Sequence, residues 1–154
     1  MTRVLLVGSE EVDLRAELFS RETARDALAT FQLREPYQNC LELETISVGS
    51  ATSLLNDLNW YLVRFVDEAL VLEPSISDDE WLSRKLAARV RDGDLEPAET
   101  DPLLKIYGVE KDESGTTLVE PMYVARTVDG VPEYDLREVD ETMVVRVTED
   151  EFRS

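Results

Sequence analysis

The sequence predicts an α/β fold, in which a three-stranded, largely parallel β-α-β-α-β-α core precedes a C-terminal antiparallel β-meander. Two observations support this prediction. Residues 1–92 alternate short apolar runs with stretches of helical periodicity, a pattern typical of parallel strands covered by helices. Residues 104–150 contain short strand-like runs separated by turn residues, which indicates a β-hairpin region. We expect one domain over 1–154 with an acidic, proline-containing connection at 93–103, and an α+β fold is the alternative.

The three core strands are predicted from apolar runs that are short and end in turn residues. They are "RVLLVG" at 3–8, "LELETISV" at 41–48 and "ALVLEP" at 69–74. Because a helical segment lies between successive runs, the usual crossover connection would make neighbouring strands parallel.

Three helices are predicted between and after these strands. In residues 19–31 apolar side chains recur at helical spacing after Ser20, a typical N-cap residue, and residues 49–68 carry a longer stripe of the same kind. The third helix lies within 75–93, because Ser77 and Glu80 form a capping box and Gly93 follows its end. Residues 9–18 fit either a helical turn or a short strand.

The C-terminal region is predicted to form strands joined by tight turns. The strand-like runs are 103–110, 116–128, 131–136 and 141–149. Asp129-Gly130 is a strong hairpin signal and Gly115 marks another turn. Pro121 indicates an edge strand or a bulge, because proline has no N–H for the strand ladder.

The composition excludes several classes of function. The chain has no histidine and one cysteine, Cys40, so it lacks imidazole catalysis, thiolate metal clusters and internal disulfides. No apolar run is long enough to span a bilayer or to form a signal peptide, which predicts a cytoplasmic protein without membrane contact. No basic patch stands out, so direct binding of nucleic acid is not expected.

The acidity of the chain has two interpretations. Its formal net charge is −18, from 34 acidic and 16 basic residues. The carboxylates could imitate nucleic acid or grip a basic partner, or they could be the surface of a protein from a salt-rich cytoplasm, where screening weakens self-repulsion. Carboxylates scattered along the chain and an excess of arginine over lysine favour the second interpretation.

The segment "NDLNWYLVRF" predicts a helix with a second face. Trp60 falls opposite the apolar stripe of this helix, and its neighbours three and four positions away include Asn56, Val63 and Arg64. Tryptophan and arginine are enriched in the hot spots of protein interfaces, which makes these four residues a candidate interaction site. The alternative is a sandwiched helix, with Trp60 covered by the C-terminal strands or by residues 9–19.

The turns after the predicted core strands form a second candidate site. If the strands are parallel, the turns share one edge of the sheet, where α/β proteins usually bind ligands. Candidate anion ligands there are Ser9, Gly49, Ser50 and Thr52. Candidate ligands for a hard cation such as Mg²⁺ are Glu10, Glu11 and Glu73. No phosphate-binding glycine motif is present, and we predict no cofactor.

Three segments resemble a small family of uncharacterised proteins from halophilic archaea. They are "ARDALATFQLREPY", "LLNDLNWYLVRFVDEALVLEPSISDDEWLSRKLAARVRDG" and "YDLREVDETMVVRVTEDEF". The resemblance implies a salt-rich habitat and a cytoplasmic location, and it implies no activity.

The sequence favours a non-catalytic protein-interaction module of a halophilic cytoplasm, either alone or as an accessory subunit of a larger complex. The partner is then a protein. The alternative is a nucleotide- or phosphoester-handling enzyme with its site at the C-terminal ends of the first three strands. An exposed edge among the C-terminal strands would also allow a homodimer across a two-fold axis.

Overall fold

Seven β-strands of the computed structural model, which describes residues 1–153, form one mixed sheet with the order β2-β1-β3-β4-β7-β5-β6. Ser154, the last residue of the predicted domain 1–154, lies outside the described residues. The strands are β1 (Thr2–Gly8), β2 (Cys40–Thr45), β3 (Val66–Leu72), β4 (Trp81–Ser83), β5 (Leu103–Asp112), β6 (Gly115–Ala125) and β7 (Glu141–Arg146).

The helices are short and lie between these strands. They are α1 (Leu14–Phe19), α2 (Glu22–Leu28), α3 (Val48–Asp57), α4 (Asn59–Phe65), α5 (Arg84–Arg91) and α6 (Glu149–Arg153), with a 3₁₀ turn at Pro97–Glu99. None of the helices in residues 1–153 has the length and apolar character that crossing a bilayer requires.

The predicted parallel three-stranded core is wrong, because β1 pairs antiparallel with both β2 and β3. β2 and β3 are parallel to each other, but β1 lies between them. β4 is antiparallel to β3, and only its pairing with β7 is parallel. The sheet is therefore mixed and mostly antiparallel, which overturns the predicted parallel β-α-β-α-β-α core.

The connection between β1 and β2 explains the error. The chain leaves β1 and enters β2 at the same end of these two strands. There the Gly8 N–H donates to the Asn39 carbonyl (2.8 Å), and the Asn39 side-chain amide donates to the Ser9 carbonyl (2.9 Å). A single long helix would carry the chain to the opposite edge at about 1.5 Å per residue. Here two helices, α1 and α2, are separated by a break at residues 20–21, so the connection returns to the edge it left.

The predicted helix over 49–68 is divided and ends early. Leu58 interrupts it between α3 and α4 with φ −91° and ψ 3°, and Val66 already has extended dihedral angles and begins β3. Val66 pairs with Gly8 at the start of β3. The long-range pairing with β1 therefore overrides the helical periodicity of residues 66–68.

The predicted helix within 75–93 begins at Ser83 instead of Ser77. Ser77 Oγ does accept from the Glu80 N–H (3.0 Å), but this bond closes a turn, and the next residues form β4. The helix starts where Ser83 Oγ accepts from the Leu86 N–H (3.2 Å). Its predicted end is confirmed, because Gly93 has φ +79° and its N–H donates to the Val90 carbonyl (3.2 Å).

The C-terminal hairpin β5–β6 is confirmed, with Gly115 in its turn and Pro121 beside a register shift on the edge strand β6. The predicted strand at 131–136 is absent. β7 pairs with β5 on the side opposite β6, so the chain must cross β5 between β6 and β7. Residues 126–140, which we name the crossover loop, make this connection, and while they cross the sheet they cannot pair within it.

The two faces of the sheet bury different clusters. Val4, Leu6, Val71 and Leu82 point to the helix-covered face and pack against helical side chains. The inner face buries one cluster to which six strands contribute, with Leu5, Cys40, Leu70, Trp81, Tyr107 and Val145 among its members.

The sheet is curled around this inner cluster. Gln38, just before edge strand β2, donates its N–H to the Thr116 carbonyl of edge strand β6 (2.7 Å). The curl brings strands that are distant in the sheet order close together across the inner face.

Candidate interaction surface around Trp60

Trp60 lies on α4 and is 47 % exposed. The buried side chains of this short helix are Tyr61 and Leu62, which face the sheet. Trp60 therefore points away from the core of its own helix, as its position off the apolar stripe predicts.

Two guanidinium groups hold the indole in place. Arg64 lies one turn along α4, and its Cζ is 3.8 Å from the indole centroid while its Nη1 donates to the Trp60 carbonyl (2.7 Å). Arg21 approaches from the junction of α1 and α2, with its Cζ 5.1 Å from the indole and 5.3 Å from the Phe65 ring. Each contact contributes on the order of 0.5–1 kcal/mol at such a site, so the indole is held in a defined orientation.

Arg21 partly covers Trp60 and is itself incompletely paired. Its Nη2 is 3.7 Å from a Glu17 carboxylate oxygen, while its Nε is buried and has no hydrogen-bond partner among residues 1–153. Arg64 forms no ion pair with a carboxylate of the described residues. The surface around Trp60 therefore presents two guanidinium groups in a chain whose net charge is −18.

Val63 completes an apolar strip beside the two cations. It lies three residues after Trp60 on α4, and it is 67 % exposed. We name the surface formed by Arg21, Trp60, Val63 and Arg64 the Trp60 surface. Tryptophan and arginine are enriched in interface hot spots, and Val63 adds exposed apolar area beside them.

Asn56, the fourth predicted member of this site, has a different partner. Its Oδ1 accepts from Nη2 of Arg84 on α5 (3.2 Å), and the same Arg84 nitrogen donates to the Leu55 carbonyl (3.3 Å). Asn56 therefore ties α3 to α5. The sequence did not point to Arg21, because it is 39 positions from Trp60 and belongs to another helix.

The strand-end turns do not meet at one edge. Ser9 follows β1 at the edge where β2 begins, and its Oγ donates to Asp67 (2.9 Å). Gly49, Ser50 and Thr52 lie at the start of α3, which follows the other end of β2. Because β1 and β2 are antiparallel, Ser9 lies at the edge opposite the other three anion candidates.

The polar side chains at the start of α3 form hydrogen bonds within this segment and with Arg91. Ser47 Oγ accepts from the Ser50 N–H (3.0 Å), which is an ordinary helix cap. Thr52 Oγ1 donates to the Gly49 carbonyl (3.1 Å) and accepts from Nη1 of Arg91 (3.0 Å). These bonds account for the polar side chains without a bound anion.

The three cation candidates are also divided between the two edges. Glu10 and Glu11 follow β1, whereas Glu73 follows β3 at the opposite edge and accepts from Thr2 Oγ1. No group of three carboxylates or cysteines in residues 1–153 has the arrangement of a metal site. Cys40 is the first residue of β2 and is buried in the inner-face cluster. Burial raises the pKa of its thiol to about 12, so the thiolate that a nucleophile requires is not formed near neutral pH.

A buried polar cluster lies on the inner face, where sequence reasoning did not place one. Glu68 of β3 forms an ion pair with Lys105 of β5, and it accepts from the Tyr107 hydroxyl (2.7 Å). Burial alone lowers the pKa of Lys105, but the hydrogen bond and negative charge of Glu68 outweigh it and raise the pKa. Burial and the Glu68 charge likewise raise the pKa of Tyr107.

We name Glu68, Lys105 and Tyr107 the inner-face clamp, because they link β3 to β5, which are not neighbours in the sheet. The Lys105 ammonium also lies 5.2 Å from the Tyr107 ring centroid and 5.6 Å from that of Tyr123, so its charge is compensated on several sides. The curl of the sheet creates the cluster, and no local pattern in the sequence signals it.

The family model of a family of unknown function, DUF5804, matches residues 2–109 of this chain. The chain belongs to this family. No curated protein matches the chain, and no solved structure matches it either.

The family match covers the Trp60 surface but not the whole structure. The matched residues run from β1 into β5 and contain Arg21, Trp60, Val63 and Arg64. The crossover loop at 126–140 and β7 lie beyond the matched segment. Since the family has no assigned function, the interpretation of the site rests on its geometry.

Proposed function

We propose that the chain is a non-catalytic protein-interaction module that binds a protein partner through the Trp60 surface, either alone or as an accessory subunit of a larger complex. The observation that carries this proposal is the half-exposed indole of Trp60, held between Arg21 and Arg64. A large aromatic side chain that is oriented before binding loses little conformational freedom when a partner covers it.

The charge of the surface defines the chemistry of the partner. Two incompletely paired arginines flank exposed apolar groups, so a matching segment carries carboxylates next to aliphatic or aromatic side chains. A nucleic acid would also offer negative charge and stacking bases. The net charge of −18 repels a polyanion over the rest of the surface, which favours a protein segment.

The alternative enzyme with a site at three strand ends has less support. It requires the turns after β1, β2 and β3 to share an edge, and β1 runs antiparallel to the other two strands. The Ser9 turn is therefore separated from Gly49 and Ser50, so these turns do not form one site.

The interaction proposal predicts selective binding of an acidic and apolar peptide. Three labelled peptides of equal length are compared by fluorescence anisotropy: one alternates Glu and Leu, one alternates Lys and Leu, and one alternates Glu and Ser. We expect the Glu/Leu peptide to bind most tightly. Trp60→Ala should weaken this binding by about tenfold or more, the usual effect of truncating a hot-spot residue.

Ile46→Ala is the matched control, because Ile46 is another exposed apolar side chain, in the turn between β2 and α3. It should leave peptide binding unchanged, and both variants should melt at the wild-type temperature. The proposal would be refuted if the three peptides bound equally tightly, or if Trp60→Ala bound the Glu/Leu peptide as tightly as the wild type does. Binding of a single-stranded oligonucleotide that depends on Trp60 would assign the surface to nucleic acid instead.

We also propose that the chain works in the salt-rich cytoplasm of a halophilic archaeon. The support is the excess of 34 acidic over 16 basic residues, spread along the whole chain. At molar salt the Debye length is about 3 Å, compared with about 10 Å at 0.1 M, so repulsion among these carboxylates is weakened.

This second proposal predicts that salt stabilises the fold. The free energy of unfolding, measured by urea titration, should rise when KCl is increased from about 0.1 M to molar concentration, because screening relieves self-repulsion. The rise should shrink near pH 4.2, the isoelectric point of the sequence, where little net charge remains. A stability that falls with KCl at neutral pH would rule out the salt-adapted interpretation.

A further inference from the structure

The crossover loop is the second unusual surface of the molecule. Residues 126–140 contain no helix or strand, and they expose Val128, Val131 and Leu136. The loop also carries five carboxylates against two arginines; the carboxylates are Asp129, Glu133, Asp135, Glu138 and Asp140. A long loop with exposed apolar side chains is uncommon in a compact domain and often serves binding.

The loop is anchored, so its exposed side chains are presented in defined positions. The Tyr134 hydroxyl donates to the Glu120 carbonyl (2.6 Å), and Asp140 accepts from the Lys111 N–H (2.9 Å). Val139 and Tyr134 pack directly over Gly108, where an added Cβ would lie 2.6 Å from Val139 Cγ1 and 2.9 Å from Tyr134 Cζ. A binding segment that is already ordered pays little entropy on association.

The loop and the helices lie on the same face of the sheet. Tyr107, Met143 and Val145 belong to the inner face, so the alternate residues Ile106 and Val144 point the other way. Ile106 and Val144 line a cleft of about 560 Å³ beneath the loop. The loop therefore covers β5 and β7 on the face where the helices cover the first four strands.

The loop and the Trp60 surface are chemically complementary. The loop offers carboxylates next to Val128 and Leu136, whereas the Trp60 surface offers Arg21 and Arg64 next to exposed apolar groups. The loop has the composition that the proposed partner of the Trp60 surface requires.

Building on the proposed function, we propose that the partner is a second copy of this chain, in which each protomer's crossover loop covers the other protomer's Trp60 surface. Both surfaces lie on the outer side of the curled sheet, where a second copy can reach them, and two copies that exchange these contacts across a two-fold axis would form an isologous dimer, the commonest form of homodimer. The contact neutralises charge locally, while molar salt screens the overall repulsion between two chains of −18 each.

The test uses complementation between two variants in molar KCl, followed by multi-angle light scattering. Wild type should be a dimer, and Ile46→Ala should remain one. Trp60→Ala and the loop variant Val128→Ser/Leu136→Ser should each raise the self-dissociation constant by about tenfold or more. A mixture of the two variants should recover dimer, because one intact loop still meets one intact Trp60 surface.

The outcomes separate the inference from the proposed function. A wild type that stays monomeric, a loop variant that dimerises normally, or a mixture that gains no dimer would overturn the second-copy assignment. If the Glu/Leu peptide still binds through Trp60 in such a case, the interaction module stands with another partner. If peptide binding is also absent, both proposals fail, and normal melting of each variant shows that misfolding is not the cause.

Discussion

Glu68→Ala is expected to lower the free energy of unfolding by about 3–5 kcal/mol, the usual result of leaving one member of a buried ion pair without its partner. The Glu68 and Lys105 side chains are only 10 % and 15 % exposed, so water cannot replace the lost carboxylate. Tyr107 loses its hydrogen-bond acceptor at the same time. Urea or thermal unfolding measures the effect.

Two matched variants define the cause of this loss. Glu68→Met/Lys105→Met removes both charges and should recover much of the lost stability, since an apolar pair needs no compensation. Glu141→Ala removes the carboxylate of an exposed pair with Lys111 and should change stability little. If Glu68→Ala proves as mild as Glu141→Ala, the inner-face clamp does not stabilise the fold.

The pH dependence of stability, compared between Glu68→Ala and the wild type, provides an independent check that Glu68 raises the pKa of Lys105. The wild-type pKa values of Lys105 and Tyr107 are raised, so their stabilising contribution is complete below pH of about 10 and is lost as the pH rises above it. In Glu68→Ala, burial lowers the pKa of Lys105 and only the contacts with Tyr107 still raise it, so the loss of stability above about pH 10 should be smaller than in the wild type. Parallel pH profiles for the two proteins would contradict this account.

Glu80→Ala is expected to lower the free energy of unfolding by about 3 kcal/mol, the second large effect, because this one carboxylate pairs with two arginines. Glu80 Oε1 accepts from Arg126 Nη2 (2.5 Å) and from Arg146 Nε (2.8 Å), and its side chain is 15 % exposed. These bonds join the turn before β4 to the first residue of the crossover loop and to β7. Without Glu80, two partly buried guanidinium groups keep only their neutral acceptors.

The control for Glu80 is an exposed arginine–carboxylate pair of similar geometry. Arg137 Nη2 lies 2.6 Å from Glu110 Oε1, but both side chains are at least one third exposed, so Glu110→Ala should have a small effect. Glu80→Gln retains an acceptor oxygen and should lose less stability than Glu80→Ala. A loss with Glu80→Ala no larger than that of Glu110→Ala would show that the arginines are satisfied without it.

Elements defined by local chemistry were predicted well. The turn between β5 and β6 was predicted at Gly115, because a glycine between two β-rich runs is a local signal. The structure confirms the hairpin, and Gly115 has φ +130°. The end of α5 at Gly93 follows from the same kind of signal. Trp60 was separated from the core stripe by helical periodicity, which depends only on residues within the helix.

Elements that depend on distant partners were predicted poorly. The helix predicted from a cap at Ser77 would include Trp81, yet Trp81 lies in β4 because β3 and β7 pair on either side of it. Residues 131–136 have strand-like composition, yet the order β7-β5-β6 makes them part of a crossing. For both segments, the neighbouring strands decided the conformation against the local preference.

The sequence by itself determined the acidity of the protein, its lack of imidazole chemistry, its short turns and the position of Trp60 off the core of its helix. Each of these follows from composition or from residues within a few positions of one another. Only the tertiary structure decided that β1 is antiparallel to its neighbours, that Arg21 packs on Trp60 and that Glu68 meets Lys105. The physical reason is that these features depend on where long connections return the chain and on how the sheet curls, and no local window of sequence encodes either.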